Sequence, residues 1–290
     1  MKKSRKLATL GICSALFLGL PACQQQHATS EGTNQRQSSS AKVPWKASYT
    51  NLNNQVSTEE VKSLLSAHLD PNSVDAFFNL VNDYNTIVGS TGLSGDFTSF
   101  THTEYDVEKI SHLWNQKKGD FVGTNCRINS YCLLKNSVTI PKLEKNDQLL
   151  FLDNDAIDKG KVFDSQDKEE FDILFSRVPT EATTDVKVHA EKMETFFSQF
   201  QFNEKARMLS VVLHDNLDGE YLFVGHVGVL VPADDGFLFV EKLTFEEPYQ
   251  AIKFASKEDC YKYLGTKYAD YTGEGLAKPF IMDNDKWVKL

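Results

Sequence analysis

"YLFVGHVGVLV", residues 221–231, is an apolar run broken by a single histidine set between two glycines. Its valines, leucines and aromatics follow no helical spacing, so it reads as a strand. Similar runs at 208–214, 237–243 and 251–254 are bounded by Asp/Gly turns. Together they predict an antiparallel meander. Upstream of residue 205 the apolar spacing is helical instead. Helices first and strands afterwards predict an α+β fold.

The helical half is read from its caps. Ser57-Thr58-Glu59-Glu60 has the form of a capping box for a helix over 57–69, carrying Val61, Leu64, Leu65 and Leu69. Asp70-Pro71 opens a second over 71–85. Further helices are expected over 106–116, 125–135 with Thr124 or Asn125 as cap, 167–177, 185–200 and 256–268. Residues 88–103, rich in Gly, Ser and Thr, read as a loop. So does the stretch Asp153-Asn154-Asp155 with Asp158, which lacks the central Gly and terminal Glu of a calcium-binding EF-hand.

The N-terminus has a different purpose. A basic cluster (Lys2, Lys3, Arg5, Lys6) precedes an apolar run from Leu7 to Leu20, about 14 residues, shorter than the roughly 20 needed to span a membrane. The run ends at Leu20-Pro21-Ala22-Cys23 and reads as a secretory signal over 1–22. The ending resembles the bacterial lipobox. That resemblance implies a diacylglyceryl anchor on Cys23 and a place on the outer face of the cell membrane. Residues 23–44, dominated by Gln, Ser, Thr, Asn and Gly, predict a flexible tether, with one globular domain over 45–290. Loss of the four basic residues takes Lys plus Arg from 31 to 27 against 40 acids, a net charge of −13. A nucleic-acid partner needs the opposite sign. A monomer is expected.

Beyond Cys13 and Cys23, three cysteines remain: Cys126, Cys132 and Cys260. On one helix Cys126 and Cys132 stand about 9 Å apart along the axis, beyond the roughly 7 Å that a disulfide allows. Cys132 could pair with Cys260. Cys126 opens its helix, where unpaired N–H groups and the macrodipole favour a thiolate. Alternation along 221–231 places Leu222, Val224, His226, Gly228 and Leu230 on one face, with Gly228 leaving room above the sheet. Glu241 lies on an apolar strand face with Phe237 and Phe239. A four-residue loop at 232–235 sets His226 directly opposite Glu241, whereas a two-residue turn at Asp235-Gly236 leaves the two roughly 13 Å apart. His214-Asp215 is a competing base at what reads as a solvated strand end. Arg127 either attracts a substrate carboxylate beside the thiol or decorates an exposed helix face. His68, His102, His112 and His189 have no ligand spacing, and no metal or cofactor is expected.

A helix-capping Cys, a strand His and a polar residue on the next strand, in that order, resemble the papain-like fold of secreted bacterial cysteine peptidases and amidases. Gly225-His226-Val227-Gly228 is similar to the base-bearing strand of the NlpC and CHAP groups. Asn125-Cys126-Arg127 matches in position only, and Gln116 lies ten residues upstream, too far to match the oxyanion glutamine of papain. The resemblance implies Cys126 as nucleophile, His226 as base, Glu241 as orienting acid, Asn125 and Arg127 as substrate-binding neighbours, and wall peptides as the amide substrate. Acyl transfer to an amine uses the same thioester. A non-catalytic surface lipoprotein binding a wall component or partner protein is the alternative. Across most of its length the chain also resembles a family of bacterial surface lipoproteins described as domain of unknown function 4300, which implies a surface lipoprotein and no reaction.

Overall fold

The computed structural model describes residues 45–100 and 103–290. The expected signal, tether and lipidated Cys23 lie outside them. The chain is mixed α+β, with eight α-helices and a mainly antiparallel architecture among the described residues.

In chain order the elements are β1 (Ala47–Thr50), α1 (Gln55–Ser66), α2 (Pro71–Val88), β2 (Thr98–Ser99), α3 (Val107–Lys118), α4 (Cys126–Leu134), β3 (Val138–Thr139), α5 (Phe151–Gly160), α6 (Ser165–Leu174) and β4 (Val178–Pro179). They continue with α7 (Val186–Phe197), β5 (Gln201–Phe202), β6 (Arg207–Asp215), β7 (Tyr221–Ala233), β8 (Gly236–Lys242), β9 (Tyr249–Phe254), α8 (Lys257–Lys267), β10 (Phe280–Asp283) and β11 (Lys286–Val288). The main sheet runs β11-β10-β6-β7-β8-β9-β1-β2, with β4 paired to one end of β7. The meander β6 to β9 is its centre. The N-terminal β1 joins β9, and the C-terminal β10 joins β6. Both flanking additions are short strands that carry little alternation in sequence.

Two clusters of buried side chains lie on the two faces of the sheet. On one side, α1 to α7 pack over Leu222, Val224, Val227, Val229, Leu238 and Val240. On the other, α8 covers Leu209, Val211, Leu230, Phe239 and Ile252. A sheet buried on both faces needs apolar residues at odd and even positions alike, which is why residues 221–231 do not alternate.

One irregularity decides where His226 points. In the β6–β7 ladder Val211 pairs with His226, but the next residue, Val212, pairs with Val224. Gly225 is therefore the extra residue of a β-bulge. The bulge reverses the faces: Leu222 and Val224 share the cluster under the helices, whereas Leu230 lies in the α8 cluster. The expected single face for Leu222, Val224, His226, Gly228 and Leu230 is thus overturned. Nor does Gly228 leave open space. A Cβ there would come within 2.3 Å of Phe239 Cζ, so the ring already fills the gap.

Other expectations change too. Asn54, not Ser57, caps α1, its Oδ1 accepting from Ser57 N at 2.9 Å. The expected polar loop at 153–158 is the interior of α5, whose Ala156 and Ile157 are buried. Cys132 and Cys260 are both free and belong to different clusters on opposite faces of the sheet, so they are not partners.

Candidate active site

Cys126 is the first residue of α4, and every residue of that helix is buried. Asn125 has extended backbone and caps the helix, its Oδ1 accepting from Ile128 N at 3.1 Å. The other end of its carboxamide donates to Asp153 Oδ1 at 2.8 Å. Asp153 also receives a two-pronged bond from Arg127, Nε to Oδ1 at 2.9 Å and Nη2 to Oδ2 at 2.7 Å, while Arg127 Nη1 donates to Val224 O at 2.9 Å. Asn125 and Arg127 are therefore held by α5 and β7. Both expected roles for Arg127, a substrate-carboxylate site and an exposed decoration, are overturned, because the guanidinium is buried and paired. Asn129, one turn further along, donates to Thr124 Oγ1 and Asn125 O and accepts from Tyr249 OH at 3.0 Å. These bonds fix the turn that presents the sulfur.

His226 is fully buried and its ring stacks on Tyr268, with centroids 4.8 Å apart. Its Nε2 is 2.5 Å from Glu241 Oε2. The register that produces this contact is neither of the two expected. The hairpin turn is Asp234-Asp235, pairing Ala233 with Gly236 and Val229 with Val240. Extended by one pair, that register sets Glu241 against Gly228, so Glu241 reaches His226 diagonally rather than from directly opposite. Such diagonal neighbours on one face are within reach of long side chains.

Glu241 is held from α8. Its Oε1 accepts from Tyr263 OH at 2.5 Å and from Lys267 Nζ at 3.4 Å, and Lys267 Nζ also donates to Tyr263 OH at 2.8 Å. Burial by itself pushes the Glu241 carboxyl up. The Lys267 ammonium and the bonds from His226 and Tyr263 outweigh it and bring the group down to about 2. Burial likewise works against a charged His226, but the nearby Cys126, by its charge and as a hydrogen-bond partner, and then Glu241 leave its pKa raised. With Nε2 committed to Glu241, Nδ1 is the nitrogen left to meet the thiol. It is buried and closes no hydrogen bond of full geometry among the described residues.

Lys242, the next residue of β8, points the other way. It is 1% exposed and its Nζ donates to Thr244 O at 2.8 Å, Phe245 O at 3.2 Å and Glu247 O. The loop it gathers passes beside the helix entrance, where a Cβ added to Gly123 would meet Phe245 O at 3.5 Å. Burial pulls this lysine down to about 7 against the pull of Glu246, Glu247 and Cys126.

The competing base is elsewhere. His214 is not at a solvated strand end: its Nε2 bonds Glu220 at 2.7 Å, its Nδ1 accepts from Ala277 N at 3.1 Å, and its ring packs 4.4 Å from that of His189. Both nitrogens are committed. Gln116 is exposed on α3 and bonds His112 at 3.0 Å.

Sequence reading missed Asp153, Lys242, Tyr263, Lys267 and Tyr268. A signal existed for Lys242 alone, since a lysine sharing a strand face with Leu238 and Val240 demands explanation. Tyr263 and Lys267 stand four apart on α8, a spacing too common to single out, and Asp153 becomes meaningful only once α5 folds against α4.

Neither a curated protein nor a solved structure matches this chain. Residues 48–288, nearly all that the structure describes and every residue of the site above, match the model of a domain of unknown function (DUF4300), and the chain belongs to that family.

Proposed function

We propose that this protein is a thiol-dependent amide hydrolase of papain-like kind, carried on the outer face of the bacterial membrane by a lipid on Cys23 and acting on wall peptides. The observation that carries the reading is His226, with Nε2 bonded to an ionised Glu241 and Cys126 among the groups that act on the ring. A carboxylate on Nε2 fixes the tautomer with the proton there and leaves the Nδ1 lone pair free. Nδ1 takes the thiol proton as Sγ attacks the amide carbon. The C–N bond breaks, Nδ1 returns that proton to the leaving amine, and water then hydrolyses the thioester with His226 again as base. The helix N-terminus favours negative charge on the sulfur and on the developing oxyanion. The wall-peptide substrate rests on the expected location and on fold analogy.

A second reading, a non-catalytic surface lipoprotein that binds a wall component or a partner, draws on the burial of the thiol, since Cys126 is 3% exposed. Alkylation separates the two. Iodoacetamide is expected to modify Cys126 at pH 6 at least about tenfold faster in the native protein than in His226→Ala, because the imidazole takes up the thiol proton as the sulfur attacks. Equal rates in the two proteins remove the hydrolase reading and leave the binding one.

A further inference from the structure

Asn79, Asn82 and Asn85 follow one another at three-residue spacing along α2, so their side chains form one oblique row on the helix surface. With Asn53 and Asn54 from the entrance to α1, and Phe78 beneath, they line a groove of about 820 Å³. The volume is of the size that small-molecule sites occupy. Some of these carboxamides have structural duties. Asn53 Nδ2 donates to Gly89 O at 3.0 Å, Asn54 Oδ1 caps α1, and Asn85 Nδ2 donates to Asn51 O and Leu52 O at 2.9 and 2.8 Å. The groove keeps what is left. The side chains of Asn79 and Asn82 are exposed along it.

The chemistry of the lining selects among ligands. Only Glu59, Lys62 and Asp75 are charged. Lys62 pairs with Asp75 at 2.6 Å, and Glu59, which accepts from the neutral Gln55 amide at 2.7 Å, leaves one net negative charge that repels anionic ligands. Both walls include helix surface, whose backbone groups are bonded internally, so no strand edge invites an extended peptide. Each carboxamide offers two donors and an acceptor in one plane, a match for neighbouring hydroxyls or an acetamido group. We propose that the groove between α1 and α2 binds a neutral oligosaccharide, independently of any chemistry at Cys126.

The test follows the side-chain amide resonances of Asn79 and Asn82 in the folded protein during titration with chitotetraose, cellotetraose or maltotetraose, with tetra-alanine as the peptide arm. At least one saccharide is expected to give saturable shifts, and the double variant Asn79→Ala, Asn82→Ala is expected to bind it about tenfold or more weakly through loss of two polar contacts. Both positions are exposed, so the variant is expected to melt with the parent. No shift with any of the three sugars, unchanged affinity in the double variant, or binding of tetra-alanine alone overturns the proposal.

Discussion

At the scale of single residues, two buried carboxylates organise the site from behind. Asp153 gathers Asn125 and Arg127 and so sets the mouth of α4, while Glu241 gathers His226, Tyr263 and Lys267. Neither touches solvent appreciably, and each accepts hydrogen bonds from the donors around it. For Glu241 the folded value near 2 lies below the ordinary 4.5. Its contribution to stability is therefore present above pH 4.5 and is lost as pH falls towards 2. His226 has the opposite sign. Its raised value gives a contribution that is complete below about pH 6.5 and is lost as pH rises through the folded value. Glu241→Gln keeps the shape but leaves Lys267 facing a neutral amide. It is expected to cost about 1–3 kcal/mol at pH 7. It is also expected to flatten the decline in stability between pH 4.5 and 2, as measured by urea unfolding at a series of pH values.

At the scale of elements, the bulge in β7 and the loop after β8 do the positioning. The bulge at Gly225 turns His226 towards the α8 side of the sheet, where Glu241 and Tyr268 already point. A Cβ at Gly225 would fall 2.4 Å from Leu213 Cδ1, so the close approach of β6 requires the glycine. The β8–β9 loop is held by Lys242, whose buried ammonium gathers three carbonyls, and by Tyr84 OH, which donates to Glu246 O. Because Lys242 has a folded value of about 7, below the usual 10.5, the unfolded chain binds its proton more tightly. Between those values stability is expected to rise with pH by up to about 1.4 kcal/mol per unit from this group. In Lys242→Met that slope is expected to vanish, which a comparison of melting temperatures at pH 7 and pH 9 checks. An unchanged slope would show that the ammonium is not buried in solution.

At the scale of the whole molecule, three layers separate the thiols. Cys126 and Cys132 belong to α4 on one side of the sheet and Cys260 to α8 on the other, all three buried and free. Burial raises Cys132 to about 12 and Cys260 well above its usual value, so both are inert in the folded state. Unfolded in denaturant without reductant, all three are expected to alkylate, as read by peptide mass mapping. Protection of any pair would contradict the free thiols, and a pair that included Cys260 would contradict the layer assignment as well.

Much of this was legible in sequence because it depends on local order. The meander is written in apolar runs separated by Asp/Gly turns, and the cap at Asn125 in one polar residue before a buried helix. Cys126, His226 and Glu241 could be picked out because a polar group among apolar neighbours needs a partner. The partner itself was not legible. Whether His226 meets Glu241 depends on a bulge and a hairpin register, each a matter of one residue, and a one-residue slip turns a side chain to the opposite face. The sequence alone determined the α+β class, the central strands and the residue types able to do chemistry, because those follow from spacing and turn chemistry along the chain. Only the tertiary structure decided that Arg127 is spent on Asp153, that α8 grips Glu241 and that Lys242 clasps a loop, because these contacts join segments tens of residues apart through packing that no local pattern encodes.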